Sequence, residues 1–486
     1  MLFEPLFAHA ARQPNEVAII DDGGRYTYQQ LAAMAAGLGK YLAAQTRQPR
    51  VGLLLPSGVG FVASFYGTLL AGKTVVPINF LLGEREIGHC IADSGIDTVV
   101  TIPQLAAHLK STPLNVVDLT QLPPPSAPVQ PSFPSPAEGD VAVLMYTSGT
   151  SGLPKGVLLT YQNLQSDVDA AIAAVDFQSK HKFLGIIPLF HAFGMTAMML
   201  APIQLGATIV YMARFSPVGA VNAIGQHGIS LVLGVPSMYA AILRLKGATP
   251  ADFKTIHAMI SGGEPLTAGL REQFQARFGV PLLEAYGMTE TSLAISVNTP
   301  RQNQPGSVGR PIPGVQIRIV DDAGRALPAG MPGEIWVKGP MVMKGYHNLA
   351  AETADALTPD GYFKTGDLGI MQSDGFLYIT GRKKDLIIIA GEKASPREIE
   401  DILAAHPAVA EAAVIGKSDP HRGEVVAAFV IAKEDQSPNP EDLREFCRQQ
   451  GLAQWKIPRE IRVVPDLPRS PTGKVLKRLL SGEVAS

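Results

Sequence analysis

Short apolar runs alternate with helix-patterned stretches from residue 51 to residue 260, and that alternation leaves few architectures open. Residues 51–55 read as a strand, 61–71 as a helix closed by Gly72, and 75–78 as the next strand. The same reading places strands at 98–101, 142–146, 183–187, 208–211, 231–233 and 257–260. Strand–helix–strand repetition implies a largely parallel sheet covered by helices. The expected class is α/β. With 486 residues, 46% of them hydrophobic and 17% charged, the chain is too long for one core and too apolar for disorder.

The texture changes after residue 311. Strands at 315–320, 334–337 and 376–379 sit between Gly/Pro/Asp turns and imply a smaller β-rich subdomain. A compact α/β unit follows. Ser395-Pro396-Arg397-Glu398 reads as a capping box with proline at the first helical position, and Ile399, Ile402 and Leu403 then form one apolar face. Strands are expected at 409–415 and 425–431, and Asn439-Pro440-Glu441-Asp442 opens a second helix carrying Leu443, Phe446 and Cys447. The proline-rich stretch 123–136 reads as an extended connector inside the large domain.

Several classes are disfavoured. A net charge of −2 with no basic run gives no reason to expect a nucleic-acid partner. Cys90 and Cys447 lie far apart, which makes no disulfide framework and fits a reducing cytosol. The histidines show no zinc spacing, so no structural metal is expected. Residues 184–213 carry no acidic or basic side chain except His191, yet Gly185, Pro188, Gly194, Pro202 and Gly206 interrupt them. A strand, a short buried helix and a second strand lining an apolar pocket fit better than a membrane span. The first residues lack a basic region leading into an apolar run, and the last three carry no lipidation or peroxisomal signal.

Chemistry is concentrated in a few segments. Thr147-Ser148-Gly149-Thr150-Ser151-Gly152-Leu153-Pro154-Lys155-Gly156 follows an apolar strand. Its small residues let several backbone N–H groups converge on one anion, the four hydroxyls add donors, and Lys155 adds a positive charge. The glycine spacing differs from a Walker A loop, but the run is a phosphate cradle. Ser261-Gly262-Gly263-Glu264-Pro265 permits close contact with a flat ring, and Tyr286-Gly287-Met288-Thr289-Glu290 offers a hydroxyl and then a carboxylate. Thr365-Gly366-Asp367 is expected to put a carboxylate on a tight turn, suited to two sugar hydroxyls. Gly381-Arg382-Lys383-Lys384-Asp385 is a charged turn between apolar strands, and Thr472-Gly473-Lys474 places a lysine near the C-terminus. Each segment alone reads as an ordinary turn or solvated face; their order along one chain carries the argument.

That order, with Pro188-Leu189-Phe190-His191 between, closely resembles the adenylate-forming superfamily of acyl-CoA synthetases, peptide-synthetase adenylation domains and firefly luciferases, most of all a fatty-acid–CoA ligase. The resemblance spans about residues 15–477. It implies a large multi-subdomain N-terminal domain of mostly parallel sheets plus a β-rich subdomain, residues 1–383, and a small mobile α+β domain, 384–486, hinged at Lys384. It implies ATP-dependent formation of an acyl-adenylate and then transfer to coenzyme A. Thr147, Ser148, Gly149, Thr150, Ser151, Gly152 and Lys155 would hold the β- and γ-phosphates, Thr289 the α-phosphate, and Glu290 a Mg²⁺ ion. Gly263, Glu264, Pro265 and Tyr286 would frame adenine, with Gly287 also in the cofactor-binding set; Asp367 would take the ribose with Arg382 assisting, and Lys474 would reach the reacting carboxylate. His191 belongs to the catalytic set, and the Ala390-Gly391-Glu392 loop would serve the thiol step.

The acid pocket is read from Phe193, Gly194, Met195, Met199, Val235, Gly262 and Met288. No acidic residue between 184 and 213 could pair the ammonium of an amino acid, so a fatty acid fits best and an aromatic acid second. Coenzyme A is the expected acceptor and an acyl carrier protein the alternative. A luciferase-like oxygenase and a non-catalytic adenylate-binding protein are the weaker readings. The chain is expected to act in the cytoplasm, as a monomer or homodimer, with small-molecule partners and no transmembrane segment.

Overall fold

The computed structural model describes residues 1–109, 113–122, 133–147, 153–419, 422–469 and 475–480. The chain is α/β and divides into two compact units. The first comprises Met1–Gly263, Phe274–Gln316 and Val337–Phe363; the second comprises Glu264–Gln273, Ile317–Trp336 and Lys364–Ser486. The boundary expected at Lys384 falls inside the second unit.

Two sheets build the first unit. In the nine-stranded sheet the order is Arg310–Pro311, Ala294–Val297, Leu282–Gly287, Ala258–Ser261, Leu231–Gly234, Lys182–Gly185, Thr208–Tyr211, Val17–Asp21 and Gly24–Thr27. The six strands from Leu282–Gly287 to Val17–Asp21 run parallel, and the outer ones are antiparallel additions. The central strands Leu231–Gly234 and Ala258–Ser261 are buried along their whole length, which is why they appear in sequence as continuous apolar runs. The seven-stranded sheet has the order Gly345–Tyr346, Lys155–Thr160, Val141–Thr147, Thr74–Pro77, Arg50–Leu54, Thr98–Thr101 and Asn115–Asp118. One apolar core spans both sheets and their helices, with Phe61, Phe65, Phe183 and Met198 fully buried.

Residues 184–213 fold as expected, into strand, buried helix and strand, with one refinement. The helix Phe193–Leu200 is π-wound and continues as the α-helix Ala201–Leu205. Among the described residues no helix is long and apolar enough to cross a membrane.

The second unit holds a four-stranded sheet, ordered Gln316–Val320, Pro332–Lys338, Phe363–Met371, Leu377–Arg382, and a five-stranded sheet around Val409–Asp419 and Gly423–Ala432. Helices Pro396–Ala404 and Pro440–Gln449 cover the latter through Ile399, Leu403, Leu443 and Cys447. Asn439 caps its helix as expected, its Oδ1 accepting from the Glu441 N–H at 2.9 Å. Ser395 does not complete a capping box. Its hydroxyl donates to the Thr380 carbonyl at 2.7 Å, and the Glu398 carboxylate is taken by Lys456 Nζ at 2.7 Å. Tertiary partners outcompete the local cap.

Candidate active site

Four neighbouring parallel strands, Lys182–Gly185, Leu231–Gly234, Ala258–Ser261 and Leu282–Gly287, end at one edge of the nine-stranded sheet. Residues 188–191, Val235, Gly262, Gly263 and residues 288–290 follow the carboxyl ends of these strands, where open α/β sheets bind ligands. Register fixes the neighbours, with Gly234 opposite Ser261 and Ser261 opposite Glu284. A side chain at Gly263 would lie 3.6 Å from Val235, and one at Gly262 would lie 3.6 Å from the Phe193 ring. Val235, Gly262, Gly263 and Phe193 therefore converge. Met195 and Met199 are fully buried on the π-helix. Gly194 is required where it stands, because a Cβ there would sit 2.2 Å from the Pro188 carbonyl oxygen. The His191 N–H donates to that carbonyl at 3.1 Å, closing the turn into the π-helix.

Beyond Leu282–Gly287 the chain makes a tight turn. Gly287 tolerates no side chain, since a Cβ would lie 1.6 Å from the Leu293 carbonyl oxygen. Met288 N–H donates to that carbonyl at 2.9 Å, and Thr289–Thr291 form a 3₁₀ turn ending at Ser292, whose φ is +62°. Thr289 and Glu290 are thus held side by side on a short rigid projection. Three ties fix it. Thr196 of the π-helix, 1% exposed, donates its hydroxyl to the Ser292 carbonyl at 3.1 Å. Ser292 Oγ donates to the Met341 carbonyl at 2.9 Å. Asp167 Oδ1 accepts from the Ala294 N–H at 2.9 Å. Asp167 is wholly buried, and desolvation drives its carboxyl well above the usual range, opposed only by that N–H.

The Glu290 carboxylate has a named partner. Tyr346 donates its hydroxyl to Glu290 Oε1 at 3.0 Å. Burial first, and Glu290 second, raise the phenol far above its ordinary value, so it remains a donor. Lys155 Nζ lies over the same ring, 5.6 Å from its centre. Thr147 and Lys155 face each other across the hairpin Val141–Thr147/Lys155–Thr160, so the expected phosphate loop closes on this pair. Ser148, Gly149, Thr150, Ser151 and Gly152 lie outside the described residues, as does Lys474. His89 supports the loop's exit, its Nε2 lying 3.0 Å from the Pro154 carbonyl; only a protonated Nε2 can donate there. Tyr146 at the loop's entry donates to Asp93 Oδ2 at 2.6 Å.

The second unit carries the remaining candidates. Asp367 is not on a tight turn. It lies inside the strand Phe363–Met371, paired across the ladder with Arg382, whose Nε is 2.9 Å from Asp367 Oδ1. Gly366 takes a left-handed φ of +71° without ending the strand, and the ladder's register shifts only further on, between Leu368 and Gly369. The Asp367 side chain is 5% exposed and that of Arg382 50%. Lys384 is exposed in a 3₁₀ turn, Lys383–Asp385. Ala390 and Gly391 form a two-residue hairpin turn, both at positive φ, with Ile389 opposite Glu392. Glu264 and Pro265 also belong to this unit.

Sequence reading passed over Asp167, Thr196, Ser292 and Tyr346. Asp167 was detectable, since it shares one helical face with Leu164 and Val168, both buried. Nothing in the sequence marks the others, whose roles arise from strand register and turn geometry.

Comparison with known proteins adds independent findings. The family described as AMP-binding enzyme matches residues 6–347, and the AMP-binding enzyme C-terminal domain matches 398–474. A long-chain-fatty-acid–CoA ligase of Bacillus subtilis (strain 168) is 34% identical over 521 residues, covering 98% of this chain and 93% of the relative. A feruloyl-CoA synthase of Amycolatopsis sp is 33% identical over 480 residues, covering 96% of each. Among solved structures, ATP-bound MatB from Rhodopseudomonas palustris superposes with a TM-score of 0.92 at 30% identity, covering 99% of this chain and 98% of that one.

Proposed function

The chain belongs to the AMP-binding enzyme family, and from that premise we propose that it activates a carboxylic acid with ATP and passes the acyl group from the adenylate to the thiol of coenzyme A. The observation that carries this reading is the Thr196–Ser292 hydrogen bond. It joins an apolar, buried wall directly to the turn presenting a hydroxyl and a carboxylate. An organic acid lying on the wall and a nucleotide phosphate at the turn would be neighbours, as in-line attack demands.

The first step needs no protein nucleophile, because the substrate carboxylate attacks the α-phosphorus and pyrophosphate leaves. Catalysis is then positioning and charge neutralisation. Thr147 and Lys155, with the loop between them, hold the β- and γ-phosphates. Thr289 donates to the α-phosphate. Glu290 is a single hard oxygen ligand, and Mg²⁺ is commonly held by one or two carboxylates with the substrate's own phosphates. Glu290, its carboxylate oriented by Tyr346, would be the protein's oxygen donor to an ion that arrives with ATP. Such an ion would supply neutralisation of phosphate charge. Gly263, Glu264, Pro265 and Tyr286 frame the base, Asp367 accepts from the ribose with Arg382 beside it, and Lys474 steers the carboxylate. The small C-terminal domain begins at the Lys384 turn, and Ala390-Gly391-Glu392 serves the thiol step.

A fatty acid is the best-fitting substrate. Met195, Met198 and Met199 are fully buried on the wall, and methionines adapt to a long flexible chain. An aryl acid is the second reading, favoured by the Phe193 ring against Gly262. Cys90 and Cys447 are buried and unpaired, which suits a reducing cytoplasm. The test is a screen for pyrophosphate release across carboxylic acids, with and without coenzyme A. Long-chain acids should release it, and coenzyme A should increase turnover. Absence of acid-dependent exchange of labelled pyrophosphate into ATP with every acid would end the proposal. Lys474→Ala should lower adenylate formation about 10²-fold or more yet spare thioester formation from supplied acyl-AMP; equal loss of both half-reactions would contradict the assignment of Lys474.

A further inference from the structure

Tyr346 sits where three separate constraints meet. The strand Gly345–Tyr346 is added antiparallel to Lys155–Thr160, with Tyr346 opposite Val157 and the His347 N–H donating to the Gly156 carbonyl at 2.8 Å. Lys155 and Val157 are two apart on one strand and share a face, so register alone brings the Tyr346 ring under Lys155. The segment leading to it is anchored independently. Asn163 Nδ2 donates to the Pro340 and Val342 carbonyls, each at 2.8 Å, and the Met343 N–H donates to the Glu290 carbonyl at 2.8 Å. The Tyr346 N–H donates to Thr353 Oγ1 at 2.9 Å. The phenol is therefore delivered to Glu290 by a braced backbone, not by a wandering side chain.

From this geometry we infer that Tyr346 is a positioning residue that holds the Glu290 carboxylate in its metal-binding orientation and seats Lys155 beside it. The inference rests on the reading of Glu290 as the ligand of the ATP-borne Mg²⁺. A phenol suits the task. It fixes one carboxylate oxygen with a hydrogen bond while adding no positive charge that would compete with a cation. Its ring face meanwhile attracts the Lys155 ammonium without a carboxylate partner that would neutralise it before phosphate arrives. One side chain thus aligns a negative and a positive group that would both serve the triphosphate, one through its metal ion and one directly.

The test measures ATP binding by calorimetry across a Mg²⁺ titration and again in EDTA, with Tyr346→Phe, Tyr346→Leu and Glu290→Gln beside the wild type. Tyr346→Phe should raise the Mg²⁺ requirement about tenfold and leave ATP affinity in EDTA unchanged, which also shows that the variant is folded. Tyr346→Leu should weaken binding in EDTA as well, because Lys155 loses its ring. If Glu290→Gln shows the wild-type Mg²⁺ requirement, Glu290 is not the metal ligand and the underlying reading falls. If Glu290→Gln shifts that requirement and Tyr346→Phe does not, the positioning role is overturned while the reading of Glu290 stands.

Discussion

Two carboxylates, one in each unit, show how the choice of partner sets what an acid can do. Glu290 projects from a 3₁₀ turn and accepts from a neutral phenol, Tyr346, at 3.0 Å. Asp367 is embedded in a strand and is met by the Arg382 guanidinium at 2.9 Å. A phenol orients its acid and leaves the charge in place. A guanidinium offsets part of the charge and fixes one carboxylate oxygen as an acceptor. The first arrangement suits a cation; the second suits neutral hydroxyls, which need an oxygen held still more than they need a field. The two sites also differ in how they are built. Glu290 depends on tertiary ties from Thr196, Asp167 and the segment 340–346, whereas Asp367 and Arg382 are simple cross-strand partners.

The largest effect that would test this contrast is expected from Glu290→Gln. Adenylate formation should fall about 10²-fold or more, in line with loss of a metal-borne electrostatic contribution, and pyrophosphate exchange measured over a range of Mg²⁺ should show it. Asp367→Asn should weaken ATP about tenfold, the scale of a hydrogen bond to a charged group, with no change in Mg²⁺ requirement. Its signature is discrimination: the variant should bind ATP and 2′,3′-dideoxy-ATP alike, while the wild type prefers ATP. A changed metal requirement in Asp367→Asn, with none in Glu290→Gln, would reverse the comparison.

A smaller effect concerns the acid beneath the Glu290 turn. Burial raises the Asp167 carboxyl, so the folded protein holds a proton that the unfolded chain releases. Its contribution to stability therefore declines as pH climbs from the ordinary carboxyl range, about 3.9, toward the raised folded value. Asn resembles the neutral acid and keeps an acceptor for Ala294 N–H. The melting temperature of Asp167→Asn minus that of the wild type should grow by on the order of 2–4 °C between pH 5 and pH 8. Parallel melting curves at the two values would mean that Asp167 is ionised in the folded state.

These three acids also show how far sequence alone reaches. The parallel strands were legible because buried strands are unbroken apolar runs, and those at 98–101 and 208–211 match residue for residue. Glu290 was legible as a hydroxyl–carboxylate pair after a glycine. Asp367 was identified but placed on a turn, because Thr-Gly-Asp has the same composition in a turn and in a strand that carries a left-handed glycine. Asp167 was passed over although its spacing from Leu164 puts it on the buried helix face. Tyr346 was beyond reach, since its meeting with Glu290 depends on pairing between segments far apart in sequence. Ser395 failed as a cap for a related reason: the deciding acceptor, Thr380, is invisible to a local rule.

The π-winding of Phe193–Leu200 has an evolutionary side. A π-turn carries surplus chain relative to the α-helix that follows it. Excision of one residue would let the segment relax to ordinary winding and would swing its flanking side chains by about 100° around the axis. Different residues would then line the apolar wall, while the strands on either side could keep their places. Loss or gain of one residue here would change which side chains face the surrounding core, within bounds set by the strands on either side.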